Sequence, residues 1–405
     1  MIPPTRRAAL AAAAGFGLSI SLLARQSFAA GQGDMAARKL IFINCRGAMD
    51  GLSVSPPIGD PDYADLRRNL TLTDTALKLD AHFGLHPALI SVQALALAGQ
   101  ARIAPAIATP DRARSHFEAQ DVLESGAPVV YGASSGWLNR ALASLQTQRK
   151  AEAISIGATA PLVLRGPAAV SSWSPGGLVN PQARLPSLLQ DLYRDDPLLG
   201  PAFARGLATE SMAQAAMAES ASPAMTPSTD PKGYLKQGQD AAHKLGVTVA
   251  GFMREPNGPQ IAALSLDGFD THANQAGLIA ARLGYLDAVL AGLQTGLGPN
   301  WRETVVLVAT EFGRTARVNG TGGTDHGTAS TALVLGGGLK PGGIIGDWPT
   351  LKTSSLFENR DVAPTLDMRS LFKGVLAEHL GLDRKALDTA VFPDSATARP
   401  LSGLV

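Results

Sequence analysis

Hydrophobic residues along the chain fall into short, uninterrupted runs that alternate with segments of helical periodicity. Most of the short runs are apolar throughout, which is typical of strands buried on both faces of a parallel sheet. The predicted strands are residues 39–45, 102–108, 153–157, 161–166, 260–266, 304–310 and 330–337, and the predicted helices include residues 86–100, 115–126 and 273–298. This alternation predicts an α/β fold with a doubly wound, mostly parallel sheet sandwiched by helices.

Two segments depart from this alternation. Residues 184–245 are rich in Ala, Met, Ser and Pro and contain no convincing strand. We expect a helical insertion or cap within a domain that spans residues 31–405; a flexible linker between two domains is the alternative. The other segment is the N-terminus, where the Arg6-Arg7 pair precedes a mostly apolar stretch and a small-x-small cleavage pattern at residues 27–29.

The N-terminal pattern predicts a twin-arginine signal peptide over residues 1–30. We therefore expect the twin-arginine export machinery to carry the folded protein to the periplasm or the medium. A membrane anchor is the alternative, because the apolar stretch approaches the ~20 residues that span a bilayer. No later apolar run looks long enough to span, so we expect no stable membrane span after cleavage.

Composition narrows the possible partners. The formal net charge is +1, without a long run of one sign, and aromatic residues are 5% of the chain. A nucleic-acid partner is disfavoured, because it would require a basic face and stacking platforms. Cys45 is the only cysteine, so no internal disulfide can form, and stability must come from the core, helped by any bound metal.

Polar side chains cluster where the predicted strands end. In a doubly wound sheet, ligands bind at the carboxyl ends of the strands. We therefore expect the polar groups after three strands, together with the loop before the last strand, to share one edge. These groups are Asp50, Asp267, Asp270, His272, Thr310, Glu311, Asp325 and His326.

The D-x-H pair Asp270 and His272 has the pattern of two ligands on one metal ion. In an extended segment, residues two apart point to the same face. Alone, the pair could equally be a helix cap and a surface histidine. With the adjacent Asp325-His326 pair, and with Asp50 and Glu311 at the ends of other strands, the set favours a divalent ion such as zinc, magnesium, manganese or calcium.

Two further positions carry candidate chemistry. Glu311 follows an apolar strand and is costly to bury unpaired, so it is either a metal ligand or the ion-pair partner of Arg314, which could otherwise hold an anionic oxygen. His116 begins a predicted helix, whose N-terminus favours an anion. Ser115 before it is a nucleophile candidate, or only an N-cap that forms a capping box with Glu118.

The remaining histidines are interpreted as structural or superficial. His82 and His86 are expected to be structural residues. His243 and His379 are expected on helix surfaces.

Several segments together resemble one known family. They are RGAMDGLSVSPP, LHPAL, RSHFEAQDVLESG, DGFDTHANQ and TEFGRTARVNGTGGTDHG. In this order they are similar to the exported family named domain of unknown function 1501, over essentially the whole chain after the signal. The resemblance implies membership of the alkaline phosphatase and sulfatase superfamily, with its doubly wound α/β fold and two-metal site.

The resemblance also implies roles for individual residues. Asp50 matches the superfamily's bridging aspartate, Asp270 and His272 match the Asp/His pair of one metal, and Glu311 matches an aspartate of the second metal. His326 matches the last histidine ligand. Asp325 is then either the support that orients His326 or a ligand itself.

The chain departs from the superfamily pattern at two places. The superfamily's Asp-His dipeptide is Glu311-Phe312 here, so one imidazole ligand is missing. The nucleophile's position falls on His116, with Ser115 adjacent. Because no C-x-P-x-R-type sequence exists and Cys45 lies elsewhere, a formylglycine sulfatase is disfavoured.

The sequence thus predicts an exported, metal-dependent hydrolase acting on a small anionic ester of phosphate or sulfate. Ser115 or a metal-bound water would attack, His116 would be nucleophile, ligand or general acid, and Arg314 would neutralise developing charge. A metal-binding envelope protein that has lost turnover is the main alternative. A metal-independent lyase or esterase is a weaker one, because its usual G-x-S-x-G motif is missing.

Overall fold

The computed structural model describes residues 37–157, 159–175, 199–219, 231–255 and 258–405, with a few isolated positions between 189 and 197. The predicted signal peptide over residues 1–30 lies outside the described residues. So does most of the first part of the predicted insertion, before residue 199.

One eight-stranded sheet forms the centre of the described part of the chain. Its strand order is β10-β4-β9-β8-β1-β7-β5-β6, and a small two-stranded sheet pairs β2 with β3. The strands are β1 (Lys39–Cys45), β2 (Leu77–Lys78), β3 (Gly84–Leu85), β4 (Ala101–Ala108), β5 (Ala153–Ile156), β6 (Ser171–Trp173), β7 (Ile261–Leu266), β8 (Thr304–Ala309), β9 (Ser330–Leu335) and β10 (Leu366–Asp367).

The direction of β9 determines which loops meet. It runs antiparallel to both of its neighbours, β4 and β8, whereas the other neighbouring pairs of the large sheet are parallel. The start of β9 therefore lies at the edge where the other strands end. The loop before β9 is brought to the loops that follow β1, β7 and β8, as the sequence predicted.

Helices cover both faces of the sheet. Alternate residues of β1 enter two separate apolar clusters, with Ile41 and Ile43 on one face and Leu40 and Phe42 on the other. The helices are α1 (Gly51–Val54), α2 (Tyr63–Arg67), α3 (Ile90–Leu97), α4 (His116–Ser125), α5 (Trp137–Gln146), α6 (Leu199–Glu219), α7 (Pro231–Arg254), α8 (Gln275–Leu297), α9 (Met368–Leu380) and α10 (Arg384–Ala386). The predicted α/β fold class, a mostly parallel sheet between helical layers, is confirmed.

One predicted strand is wrong. Residues 161–166 contain a 3₁₀ turn, Leu162–Leu164, instead of a strand. Side chains take the hydrogen bonds that a neighbouring strand would have made: the Val163 N–H donates to Glu124 (3.0 Å), and the Leu164 carbonyl accepts from Asn139 (2.8 Å). Val163 and Leu164 are buried all the same, so the composition of the segment resembles that of a strand.

The region predicted as an insertion contains two helices within its described part, α6 and the greater part of α7. The second helix packs closely against α8, where Gly246 of α7 lies on the backbone of Val289 and Leu293. That these residues are an insertion or a cap stays a prediction.

Among the described residues, one helical segment is long and apolar enough to cross a membrane by length and composition, contrary to the sequence-based expectation. It is Gln275–Glu303, α8 with the turn that follows it. Half of its most apolar window is buried inside the protein, and its side chains belong to the core cluster on one face of the sheet. A helix of a domain core passes the same test.

Candidate metal centre

Three imidazoles surround the carboxylate of Asp270 at the carboxyl edge of the sheet. Asp270 and His272 follow β7, His116 is the first residue of α4, and His326 precedes β9. The Nε2 atoms of His272, His326 and His116 lie 3.0, 3.4 and 3.5 Å from the Asp270 oxygens. The Nε2 atoms of His272 and His326 are 3.0 Å apart. The predicted convergence of Asp270, His272 and His326 is therefore present.

The opposite nitrogen of each ring faces an oxygen. The Nδ1 atom of His116 lies 2.8 Å from Glu311, that of His272 lies 3.4 Å from Asp325, and that of His326 lies 2.9 Å from the Arg114 carbonyl. Carbonyl and ionised carboxylate oxygens only accept hydrogen bonds, so each Nδ1 must carry the proton. In the neutral form of each ring, Nε2 then presents a lone pair.

These lone pairs point at each other and at a carboxylate. Neutral Nε2 atoms and an ionised carboxylate are all acceptors, so at 3.0–3.5 Å they repel one another unless a metal ion lies between them or one ring takes up a proton. The Nε2 atom of His116 is buried without a hydrogen-bond partner. Ligand atoms of His116, Asp270 and His326 lie within 4.8 Å of one another. This donor set fits a divalent metal ion.

Glu311 lies behind His116 and not among the converging atoms. Its Oε1 accepts from His116 Nδ1 and from the N–H groups of Gly47 (2.8 Å) and Ala48 (3.1 Å), while its Oε2 accepts from Thr310 (2.9 Å). Burial favours a higher pKa for Glu311, but these hydrogen bonds outweigh it and hold the pKa below its usual value. The same contact raises the pKa of His116.

The geometry therefore gives Glu311 the role of orienting His116. A carboxylate–histidine pair of this kind orients a metal-binding ring and increases its basicity. The assignment of Glu311 as a direct ligand stays a prediction.

Phe312, next to Glu311, occupies the position where the superfamily pattern has a histidine. Its ring lies 4.9 Å from the ring of His116 and 5.0 Å from that of His326. His116, which the sequence pattern placed at the nucleophile's position, brings the third imidazole to the centre. Burial lowers the pKa of His326, which keeps its Nε2 lone pair available.

Arg314 is buried beneath the centre. Its guanidinium donates to the carbonyls of Ala48 (2.8 Å) and Thr324 (3.1 Å), to two further carbonyls and to the Asp270 carboxylate. Burial favours a higher pKa for Asp270, but the Arg314 hydrogen bond outweighs it and lowers the pKa. The side chain of Arg314 is 0% exposed, so the geometry supports a role through Asp270, not contact with a substrate. The alternative ion pair with Glu311 is not formed.

Asp325 supports a different histidine from the one expected. Its carboxylate faces His272 and accepts from Asn319 Nδ2 (3.1 Å), while His326, the next residue, turns its Nδ1 to the Arg114 carbonyl. The prediction that Asp325 orients His326 is wrong, because neighbouring side chains in this extended segment point apart. The hydrogen bond from Asn319 lowers the pKa of Asp325.

The glycines of this loop allow close packing against protein backbone. A Cβ atom on Gly323 would lie 2.3 Å from the His272 carbonyl, and one on Gly327 would lie 2.3 Å from the backbone of Arg314. Both glycines therefore bring the Asp325-His326 pair against the segments that carry the other groups of the centre.

Ser115 precedes α4 at the N-cap position, but its side chain makes no capping hydrogen bond, so the expected capping box with Glu118 is not formed. The first N–H groups of α4 are consequently free of a side-chain cap. The hydroxyl is next to His116 in the chain, and its role as nucleophile stays a prediction.

Asp50 belongs to a separate buried cluster. Its Oδ2 accepts from Arg67, Ser53 (2.7 Å) and Gln275 (2.5 Å), and both Asp50 and Arg67 are almost completely buried. Its Oδ1 is buried without a partner. The structure thus gives Asp50 a guanidinium as counterion, and its assignment as a metal ligand stays a prediction.

The other histidines are outside the centre. His86 is buried, its Nδ1 accepts the Ala88 N–H, and burial lowers its pKa to about 4. His379 was expected on a helix surface, which is wrong: it is 2% exposed, and its Nε2 donates to the Lys39 carbonyl. Helix α9 is buried along most of its length, so its polar residues do not mark a solvent face.

Four residues that support these clusters were missed by sequence reasoning. They are Arg67, Arg114, Gln275 and Asn319. Arg114 has a left-handed backbone (φ 58°), which is uncommon for a residue other than glycine, and it presents its carbonyl to His326. Each acts over a long sequence separation or through its backbone, so no periodicity in the chain could indicate it.

Comparisons with known proteins bear on the fold and the family. No curated protein matches the sequence. The lipoteichoic acid synthase LtaP of Listeria monocytogenes is similar at 9% identity and a TM-score of 0.37, covering 88% of this chain and 76% of that one. A protein in the alkaline phosphatase superfamily from Vibrio parahaemolyticus is similar at 10% identity and a TM-score of 0.39, covering 77% of this chain and 63% of that one. The C-terminal periplasmic domain of EcEptC from Escherichia coli, in complex with Zn, is similar at 10% identity and a TM-score of 0.32, covering 74% of this chain and 73% of that one.

These scores are low, and it is the order and direction of the strands in the eight-stranded sheet that define the fold. The sequence relationship is stronger. The family described as protein of unknown function DUF1501 matches residues 86–391, a range that includes every residue of the histidine centre. The chain belongs to that family.

Proposed function

We propose that the protein is a metal-dependent hydrolase of a small phosphate or sulfate ester. The observation that carries this proposal is the convergence of three Nε2 atoms on Asp270, with each Nδ1 tied to an oxygen. A bound divalent ion would supply a Lewis acid that polarises the ester oxygen. His116, His272, His326 and Asp270 would hold it.

The donor set favours one class of ion. Imidazole ligands suit zinc, iron or similar transition metals, whereas magnesium and calcium prefer oxygen ligands. Three imidazoles and one carboxylate therefore favour zinc or a related ion. We propose one ion per chain, because the Glu311 carboxylate is engaged by His116 and Asp50 by Arg67.

Two features support an anionic substrate. The side chains of Asp270 and His272 are 45% and 46% exposed, so the centre is open on one side, as catalytic sites are. The N-terminus of α4 lies at the same place with its N–H groups uncapped, and such a terminus attracts phosphate or sulfate oxygens. Ser115, the N-cap residue of this helix, would attack the ester, and Arg314 would hold Asp270 in position.

The test combines metal analysis with turnover. Wild-type protein purified from its folding compartment is expected to contain one transition metal per chain and to hydrolyse p-nitrophenyl phosphate or p-nitrophenyl sulfate. His272→Ala should lose the metal and the activity. His82→Ala is the matched control, since His82 is exposed and outside the centre. Equal metal content in both variants would rule out the ligand assignment.

A second candidate is a metal-binding envelope protein without turnover. The contacts of Arg314 favour it, because a buried guanidinium already engaged by four carbonyls and Asp270 cannot neutralise charge on a substrate. Stoichiometric metal with no hydrolysis of either ester would support this candidate.

We also propose export by the twin-arginine route, on the basis of the Arg6-Arg7 pair and the apolar stretch after it. Replacing both arginines by lysine should leave uncleaved protein in the cytoplasm. Unchanged export of that variant would argue against the route.

A further inference from the structure

A cavity of about 490 Å³ lies along one side of α4, and its lining includes sequence neighbours of the histidine centre. Its lining includes Phe117, which follows His116, and Asp267, which is three residues before Asp270. Glu124, seven residues after Phe117, also lines it, and a helix rises ~1.5 Å per residue, so the cavity extends roughly 10 Å along α4. Its length suits the organic part of an ester whose anionic group is at the centre.

The polar lining mixes donors and acceptors. The Nε–H of Arg165 donates to the Ala160 carbonyl (2.7 Å). Arg165 is an exposed residue, and its terminal nitrogens lie at the end of the side chain. Arg46 is only loosely paired with Asp267, at 3.9 Å and with both side chains exposed. Asp121 adds a further carboxylate. With Glu124, three carboxylates line the cavity and would oppose a second anionic group, while the two guanidiniums would oppose a cation. Hydroxyl groups donate and accept, so they match both kinds of side chain.

Glu124 and its partners form a fixed part of this lining. Its Oε1 accepts from Gln120 (2.6 Å) and from Asn44 (3.2 Å), and its Oε2 accepts from the Val163 N–H. Glu124 is 4% exposed. The lining is therefore organised by the protein before any ligand binds, which lowers the cost of binding.

Two exposed aromatic side chains belong to the lining of the cavity. Phe117 is 87% exposed and Tyr131 is 78% exposed, among the most exposed large apolar side chains of the described residues. Tyr131 has a left-handed backbone (φ 56°), and its N–H donates to Asp121 (2.6 Å), so the backbone that carries this ring is fixed at some cost. Rings left in water at such a place supply apolar faces for a ligand.

We propose that this cavity binds a sugar ring, and that the substrate is a carbohydrate ester. A pyranose has an apolar C–H face for the exposed rings and hydroxyl groups for the mixed donors and acceptors. The identity of the substrate as an ester rests on the proposed function. The binding of the sugar does not, because none of these residues holds the metal.

The experiment measures binding of methyl α-D-glucopyranoside, methyl β-D-galactopyranoside and N-acetylglucosamine to the metal-loaded full chain by saturation-transfer NMR, with adenosine for comparison. At least one sugar should bind. Tyr131→Asn, which tolerates the left-handed backbone, together with Arg165→Met should weaken that binding by at least about tenfold. Metal content should not change. Leu97→Ala is the control, because Leu97 is 70% exposed and outside the cavity.

Each result either supports or overturns the proposed sugar site. Absence of binding by all three sugars, tighter binding of adenosine, or unchanged sugar binding in the double variant overturns it. Sugar binding without hydrolysis of any ester overturns the proposed hydrolase and leaves the sugar site intact. Hydrolysis of methyl phosphate without binding of any sugar overturns the sugar site and leaves the proposed hydrolase intact.

Discussion

Asp270 and Asp50 both follow strands at the same edge of the sheet, yet their surroundings are opposite. Asp50 is buried, and a guanidinium, an amide and a hydroxyl donate to it. Asp270 is 45% exposed, and besides Arg314 it faces only imidazole nitrogens that have no proton to offer in the neutral rings. Buried polar groups are normally satisfied within the protein. Arg67, Gln275 and Ser53 all donate to Oδ2 of Asp50, whereas Arg314 is the one side-chain donor at Asp270 that is charged whatever the state of the imidazoles. This difference in donors separates a candidate binding centre from a buried ion pair.

The histidines also differ in whether their ring nitrogens find a partner within the protein. His379 donates its proton to the Lys39 carbonyl inside the core. In the centre, the Nδ1 atom of each ring faces an oxygen in the same manner, while the Nε2 atoms face one another and the Asp270 carboxylate, and that of His116 has no hydrogen-bond partner. Position at the edge of a sheet therefore does not by itself mark a candidate metal ligand; the orientation of the Nε2 atom towards other acceptors does.

The largest effect is expected at Asp270. Asp270→Asn replaces an anionic oxygen by an amide that donates, so the cluster of acceptors loses its charge. We expect metal affinity to fall by more than about 100-fold, since even supporting residues cost 10–100-fold. Elemental analysis of dialysed protein measures it. Chelation of the wild type should lower its melting temperature, because an ion at 100 times its Kd stabilises by about 2.7 kcal/mol, and the variant should lack this response.

Asp50→Asn, in contrast to Asp270→Asn, should lower the stability of the protein and leave its metal content unchanged. Removing the charge leaves Arg67 buried and unpaired, and breaking a buried pair costs about 3–5 kcal/mol. The free energy of unfolding in urea measures this loss. Metal content should stay at the wild-type value. The double variant Asp50→Asn/Arg67→Met should recover part of the stability. Loss of metal in Asp50→Asn would place Asp50 in the ligand set after all.

The buried imidazole of His379 makes the stability of the protein depend on pH. Burial lowers its pKa to about 4, below the ordinary value of 6.5. Between these values the unfolded chain binds a proton that the folded chain does not, so stability falls as the pH drops. We expect this residue to lower the free energy of unfolding by roughly 3 kcal/mol as the pH falls from 6.5 to 4, and to have no such effect above pH 6.5. In His379→Gln, whose amide can still donate to Lys39, this part of the pH dependence should disappear.

How much could be read from the sequence depended on the range of each interaction. Strand β1 was recognised because it is apolar throughout, whereas β6 and β10 have only three and two residues and no pattern. Asp270 and His272 were found from local spacing. The pairing of His116 with Glu311 joins residues 195 positions apart, and that of Asp50 with Arg67 connects a loop to a helix end. Such pairings exist only in the folded chain.

The smallest expected effects distinguish two supports of the imidazoles. Glu311 is 1% exposed and lies 2.8 Å from His116 Nδ1, whereas Asp325 is 55% exposed and lies 3.4 Å from His272 Nδ1. Glu311→Gln should lower metal affinity by about 10–100-fold, because the amide pairs weakly with the ring proton. Asp325→Asn should lower it by less than about fivefold, because an exposed contact is weak and screened by water. Titration with zinc against a competing chelator compares the two variants. Equal losses would mean that a bound ion draws His272 and Asp325 closer together, so that both carboxylates support the centre to the same degree.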